Sequence, residues 1–240
     1  MITLFKDRDE AGAQLAQALN DYRGQDAVIL ALPRGGVEVG YHVAESLAAE
    51  FSILIVRKLP FPDNPESGFG AVAEDGSVYL IPDAKRCIPG RTIERILAEQ
   101  KNEIVRRIKV LRSGRPLPDL SNRQLIIVDD GIAMGSTTQA AVMCCRNAGA
   151  KRITVAAPVA SREAQTALEK VADKLVILLT PPYFRAVADF YQNWHDVSDK
   201  EAITFLNMAA EAGLMPPSAG IALGMNKIKK TGLRSFPFTL

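Results

Sequence analysis

Five short runs rich in Val, Ile and Leu, at residues 27–32, 53–56, 125–128, 153–157 and 175–179, most constrain how this 240-residue chain can fold. None alternates apolar with polar residues, so each is suited to burial on both faces, as strands inside a parallel sheet are. Between and around them lie stretches of helical period: Asp7 to Tyr22, Val37 to Ala49, Ile93 to Leu111, Ser136 to Asn147, Ser161 to Lys170 and Asp199 to Ala212. Parallel strands need crossovers of about that length. The alternation therefore predicts an α/β fold with a central parallel sheet and helices on both faces. Ser161 with Glu163, and Asp199 with Glu201, supply caps and early acids for the last two helices.

Two stretches break this rhythm. Residues 58–90 hold Pro60, Pro62, Pro65, Pro82 and Pro89 with Gly68, Gly70, Gly76 and Gly90, too much punctuation for a buried core element. A connection this long is expected to be a flexible flap, with a small hairpin around Gly76. After Met215 the chain carries Lys227, Lys229, Lys230 and Arg234 without one acid, which reads as a loosely ordered tail, with docking to a partner or subunit as the alternative. The expected organisation is one domain over 1–214, its flap at about 58–90, and a tail over 215–240.

Composition limits the function classes. Lys and Arg total 29 against 27 Asp and Glu, too balanced for a protein held to nucleic acid by overall charge. No apolar run reaches the roughly 18 to 20 residues of a membrane span, and MITLFKDRDE puts charges where a signal peptide needs its apolar core. A cytoplasmic protein without a membrane partner is expected. Cys87, Cys144 and Cys145 form no CxxC pair and His42 and His195 are the only histidines, so a closed zinc site is not expected. Cys144 and Cys145 read as reduced helix residues, one buried and one not.

The chemistry concentrates in LIIVDDGIAMGSTTQAAV, residues 125–142. A buried strand ends in two acids, a loop follows with Gly131 and Gly135, and Ser136, Thr137 and Thr138 open a helix. Glycines let backbone N–H groups turn toward an anion, the helix N-terminus adds donors and a positive dipole, and hydroxyls close the cage. The competing nucleotide motifs fail: no GxGxxG follows a strand and no GxxxxGK[ST] exists. Asp129 and Asp130 would repel a bare polyphosphate, but they suit a sugar or a divalent cation beside a phosphate. VILALPRGGVEVG, residues 28–40, repeats the design of strand, glycine pair and helix, with Arg34 before Gly35 and Gly36. Arg57 and Lys58 follow the second predicted strand, on the carboxyl edge where open α/β sheets bind ligands. Residues 180–199 concentrate Tyr183, Phe184, Phe190, Tyr191 and Trp194; core packing by at least three of them competes with stacking on a planar base. His42 and His195 read as structural.

VDDGIAMGST resembles the PRPP-binding signature of the type I phosphoribosyltransferases, PRPP being 5-phosphoribosyl 1-diphosphate. The resemblance implies that Asp129 and Asp130 hold the ribose hydroxyls and, directly or through water, Mg²⁺. It gives the 5-phosphate to the loop of Gly131, Ala133, Met134, Gly135, Ser136 and Thr137. Members often carry Thr where this chain has Met134, so one hydroxyl is missing and weaker PRPP binding is implied. Arg34, Gly35 and Gly36 match the diphosphate loop, and Arg57 and Lys58 the basic residues facing the diphosphate. Residues 58–90 fall where the family keeps its catalytic hood, with Asn64, Glu66 and Glu74 as polar candidates. From PRGGV to VSDKEA, over roughly residues 1–212, the chain is similar to a group of predicted bacterial phosphoribosyltransferases with no assigned acceptor. The resemblance implies a Rossmann-like fold and transfer of phosphoribose to a nucleobase-like acceptor with diphosphate released; Tyr183 or Phe184 is expected under the acceptor ring, Phe184 preferred because the Tyr183 hydroxyl can turn to solvent. A homodimer stays open. One alternative is a PRPP-sensing regulator with little turnover, binding nucleic acid through the basic helix at 91–115, although a solvated helix face is the simpler reading of its eight Lys and Arg. A hydrolase is disfavoured, because no GxSxG elbow exists.

Overall fold

The computed structural model describes residues 4–215; the basic tail lies outside them from residue 216 onward. In chain order the elements are α1 (Arg8–Ala18), β1 (Ala27–Ala31), α2 (Gly35–Leu47), β2 (Glu50–Ile53), β3 (Val56–Phe61), β4 (Asn64–Ala73) and β5 (Val78–Leu80). Then come α3 (Ala84–Cys87), α4 (Gly90–Arg112), β6 (Gln124–Val128), α5 (Ser136–Asn147), β7 (Arg152–Val159), α6 (Arg162–Leu168), β8 (Lys174–Leu179) and α7 (Asp199–Glu211).

Five strands form the parallel sheet in the order β2-β1-β6-β7-β8. Because successive strand residues point to opposite faces, the two main cores divide each strand between them. Ile29, Ala31, Ile126 and Val128 join the core with α1, α2, α4 and α7, while Val28, Leu30, Leu125 and Ile127 join the core with α5 and α6. Both faces are covered, which is why these runs carry no polar alternation. The parallel register Ala31↔Val128 brings the carboxyl ends of β1 and β6 level, while β7, paired Val128↔Ala156, runs on to Val159.

Several expectations need correction. The second parallel strand is Glu50–Ile53, not 53–56; Leu54 and Ile55 are buried in the corner that follows, and Val56 already begins β3. An apolar run that turns a buried corner has no periodic mark where the strand ends. Arg57 and Lys58 therefore lie within β3 rather than at the end of a sheet strand. The segment after them is not free of core elements: β3, β4 and β5 make a three-stranded antiparallel sheet, and Leu59, Phe69, Ala71, Val72 and Ala73 are buried. Pro60 is accommodated at a register irregularity between β3 and β4, where proline is tolerated in sheets. The hairpin at Gly76 is present, joining β4 to β5. Cys144 and Cys145 are both buried, because α5 lies between the large sheet and β4, and burial pushes both thiols up. Ser161 caps α6 as read, whereas the cap of α7 is Ser198, in a capping box with Glu201.

Candidate functional site

Two helices begin at the carboxyl edge with no side-chain cap, α2 after β1 and α5 after β6. By contrast α1, α6 and α7 are capped by Asp7, Ser161 and Ser198. The first N–H groups of a helix lack intrahelical partners and carry the positive end of its dipole. Gly135, at φ +76°, turns the chain into α5 through a conformation that favours glycine. Beside it the Ser136 hydroxyl is buried with no hydrogen-bond partner among the described residues. A buried hydroxyl left this way is costly in the absence of a ligand.

The PRGG turn packs directly on the two acids. A Cβ on Gly35 would fall 1.8 Å from Asp130 Oδ2, and one on Gly36 would fall 2.8 Å from the Val128 carbonyl oxygen, so both positions require glycine. The Pro33–Arg34 peptide bond here is cis. Asp129 and Asp130 are adjacent but differently placed. Asp129 lines a cleft of about 410 Å³ with Ala133, Met134, Gly135, Ser136 and Thr137, and burial, then the Asp130 charge, holds its carboxyl well above the usual range. Gly131 and Lys58 line the same cleft, and so does Glu66. Asp130 instead lines a second pocket, of about 320 Å³, with Arg34, Gly35 and Arg57.

Arg107, Arg8 and Asp196 also line that pocket. Arg57 donates to Gln100 Oε1 at 3.0 Å but forms no ion pair among the described residues. Burial, then the Arg107 charge, lowers its pKa against the opposing effect of Glu103, so an anion bound there would favour its charged form. Arg34 Nη1 lies 3.7 Å from Asp199 Oδ1, itself buried without a hydrogen bond. Tyr183 and Phe184 line a third pocket, of about 460 Å³, with Arg162 and Glu163. Val187 borders the first two pockets, and Arg185 the first and third.

The sequence candidates thus gather around three neighbouring cavities at one edge of the sheet, with two exceptions, Glu74 and Asn64. Glu74 is turned away into a buried ion pair with Arg112, and its second partner is the Ile55 N–H at 2.8 Å. Asn64 donates to Ser67 Oγ at the exposed end of the β3–β4 hairpin. Phe184 packs its ring on Phe190, at 5.2 Å between centroids, whereas Tyr183 is 86% exposed. His195 pairs with Glu201 at 2.8 Å and His42 lies 3.4 Å from Asp9; neither lines these cavities. In the basic helix Arg107 and Arg112 are buried, and Arg95 and Arg106 pair with Glu99 and Glu103, which leaves a thinner basic face than the composition suggests. Sequence reasoning missed Arg8, Arg107 and Arg185. Arg8 sits among charged residues that open a helix, and its partner Asp130 is 122 positions away, so no local signal marks it.

The described residues include no helix long and apolar enough to cross a membrane. A family model described as "Phosphoribosyl transferase domain" matches residues 6–192. Two Mycobacterium tuberculosis proteins, each provisionally named phosphoribosyl transferase, are 40% identical over 222 residues, covering 90% of this chain and 50% of theirs. The chain therefore spans about half the length of these curated relatives. The crystal structure of TT1426 from Thermus thermophilus is similar at 38% identity and a TM-score of 0.72, covering 85% of this chain and 98% of that one. With the matched segment running from the first helix through the N-termini of α2 and α5 and the two acids, the chain belongs to the phosphoribosyl transferase domain family.

Proposed function

We propose that the protein transfers the phosphoribosyl group of PRPP to a nucleobase-like acceptor, with Mg²⁺ as cofactor and release of diphosphate. The observation that carries this reading is the buried Ser136 hydroxyl, unpartnered among the described residues, at the uncapped start of α5 and in the same cleft as Asp129. That combination suits a phosphate with a polyhydroxyl sugar beside it. Backbone N–H groups of 133–137 and the Ser136 and Thr137 hydroxyls hold the 5-phosphate, and Asp129 accepts from the ribose hydroxyls.

The donor set also fits Mg²⁺. No cluster of three His, Cys, Asp or Glu suited to a metal occurs among the described residues. One or two carboxylates with substrate oxygens and water are what this ion usually needs. Asp129 and Asp130 would hold it, and it would supply positive charge to the departing diphosphate.

The protein's own residues then divide the work. As the C1–O bond breaks, its electron pair leaves with diphosphate, and Arg34, Arg57 and Lys58 meet the growing negative charge. The acceptor's ring nitrogen gives its lone pair to C1, and the proton it carried passes to water. Tyr183, at the rim of the third pocket, offers a face on which a planar ring can rest.

Calorimetry with PRPP and Mg²⁺ tests the reading. Replacing Asp129 and Asp130 together by Asn should weaken binding by about 1 to 3 kcal/mol for each charge-assisted hydrogen bond removed. Equal affinity in wild type and the double variant would reject the assignment.

A further inference from the structure

Arg8 is 3% exposed although it lies near the start of the described chain. Its guanidinium donates from Nε to Asp130 Oδ2 at 2.8 Å and from Nη1 to the His195 carbonyl at 3.0 Å, and it stacks 3.9 Å over the Trp194 ring. The chain on both sides is clamped. The Phe5 N–H donates to Phe190 O at 2.9 Å and the Gln192 N–H to Phe5 O at 2.8 Å, and Tyr191 Oη donates to Asp130 O at 2.6 Å. The N-terminal segment is thus tied across the site to residues 190–195, and the tie ends on the second acid.

Asp130 shares its pocket with Arg34, Arg57 and Arg107 and with one further acid, Asp196, so the four arginines including Arg8 outnumber the acids. Left alone, a carboxylate there would oppose any anion those arginines attract. We infer that Arg8 is a positioning residue: it neutralises Asp130 and fixes it against Gly35, so that the arginine pocket presents net positive charge to the diphosphate end of the substrate. The inference rests on the phosphoribosyl transfer reading of the site. A merely structural Arg8 would need neither the convergence of three further arginines nor a glycine pressed against the carboxylate that Arg8 holds.

Trp194 is the single tryptophan of the chain, so its fluorescence reports on the Arg8 stack directly. The test compares wild type, Arg8→Met, Arg8→Lys and the double variant Arg8→Met with Asp130→Asn, titrated with inorganic diphosphate and with PRPP and Mg²⁺. Only the folded fraction, checked by circular dichroism, is scored. Wild type should bind both ligands with a change in Trp194 emission. Arg8→Met should bind both about tenfold more weakly or worse, the scale of one charge-assisted hydrogen bond. Arg8→Lys should keep most of the affinity, and the double variant should regain most of the diphosphate affinity because the uncompensated carboxylate is gone. Folded Arg8→Met that binds diphosphate as wild type does, or a double variant that binds diphosphate as weakly as Arg8→Met alone, would overturn the role of Arg8 only. Wild-type protein that binds neither ligand would overturn the function reading and this inference together.

Discussion

Ser136→Ala separates a ligand-binding hydroxyl from a structural one by the sign of its effect. In the ligand-free protein the Ser136 hydroxyl is buried without a partner among the described residues. Such a group costs about 1 to 3 kcal/mol, and alanine in the first turn of a helix adds a few tenths of a kcal/mol of propensity. The variant should therefore be more stable than wild type without ligand, by about 1 kcal/mol. With the 5-phosphate in place the hydroxyl makes a hydrogen bond to a charged group, worth about 1.5 to 3 kcal/mol, and alanine removes it, so affinity falls about tenfold to a hundredfold. Urea unfolding with and without PRPP and Mg²⁺ reads both terms. At a ligand concentration of about 100 times the wild-type Kd the wild type gains about 2.7 kcal/mol, while the variant should gain only about 0.4 to 1.4 kcal/mol. A variant that is less stable than wild type without ligand, or that gains the same increment from it, would show that the hydroxyl serves the fold and not a phosphate.

Closure of the hairpin over bound diphosphate should slow proteolysis between Lys58 and Arg86, where residues 62–66 are exposed; equal cleavage with and without PRPP and Mg²⁺ would reject a closing flap. Met134 is 56% exposed and so does not pack beneath the loop. Met134→Thr should tighten PRPP binding by about 0.5 to 1.5 kcal/mol in calorimetry, and no change would mean that the backbone already satisfies the phosphate. Glu103 is held down to about 2 by its hydrogen bonds to Arg106 and Arg107. Its folded-state pKa is depressed, so the stability it contributes is present above about 4.5 and lost as pH falls from there toward 2; acid unfolding of Glu103→Gln should be flatter across that window, and an unchanged profile would refute the pairing. Tyr183→Ala should leave the Tm unchanged and weaken nucleotide binding by about 1 to 3 kcal/mol, whereas Phe184→Ala, which removes a ring packed on Phe190, should lower the Tm; unaltered nucleotide affinity in Tyr183→Ala would reject stacking there.

What could be read from the sequence follows from what is local. The strands at 27–32 and 125–128 were legible because burial on both faces writes itself into every residue, and the loop at 129–137 because a helix N-terminus builds its cradle from consecutive residues. The strand end after Ile53 was not legible, since Leu54, Ile55 and Val56 stay buried as the chain changes sheets. Arg8 and Arg107 were invisible for a different reason: a helical arginine looks the same whether it faces water or lines a buried pocket. The division of labour between the two acids lies deeper still. Asp129 and Asp130 are identical in type and adjacent, and nothing in the sequence ranks them. Consecutive residues leaving a strand point to opposite sides, so one side chain enters the phosphate-loop cleft and the other the arginine pocket. Only in the second pocket does a buried guanidinium arrive, carried by α1 from the far end of the chain. The same two letters thus become an acid without an ion-pair partner among the described residues and an acid whose charge is already met, and the sheet's two-residue period, not residue type, makes the difference.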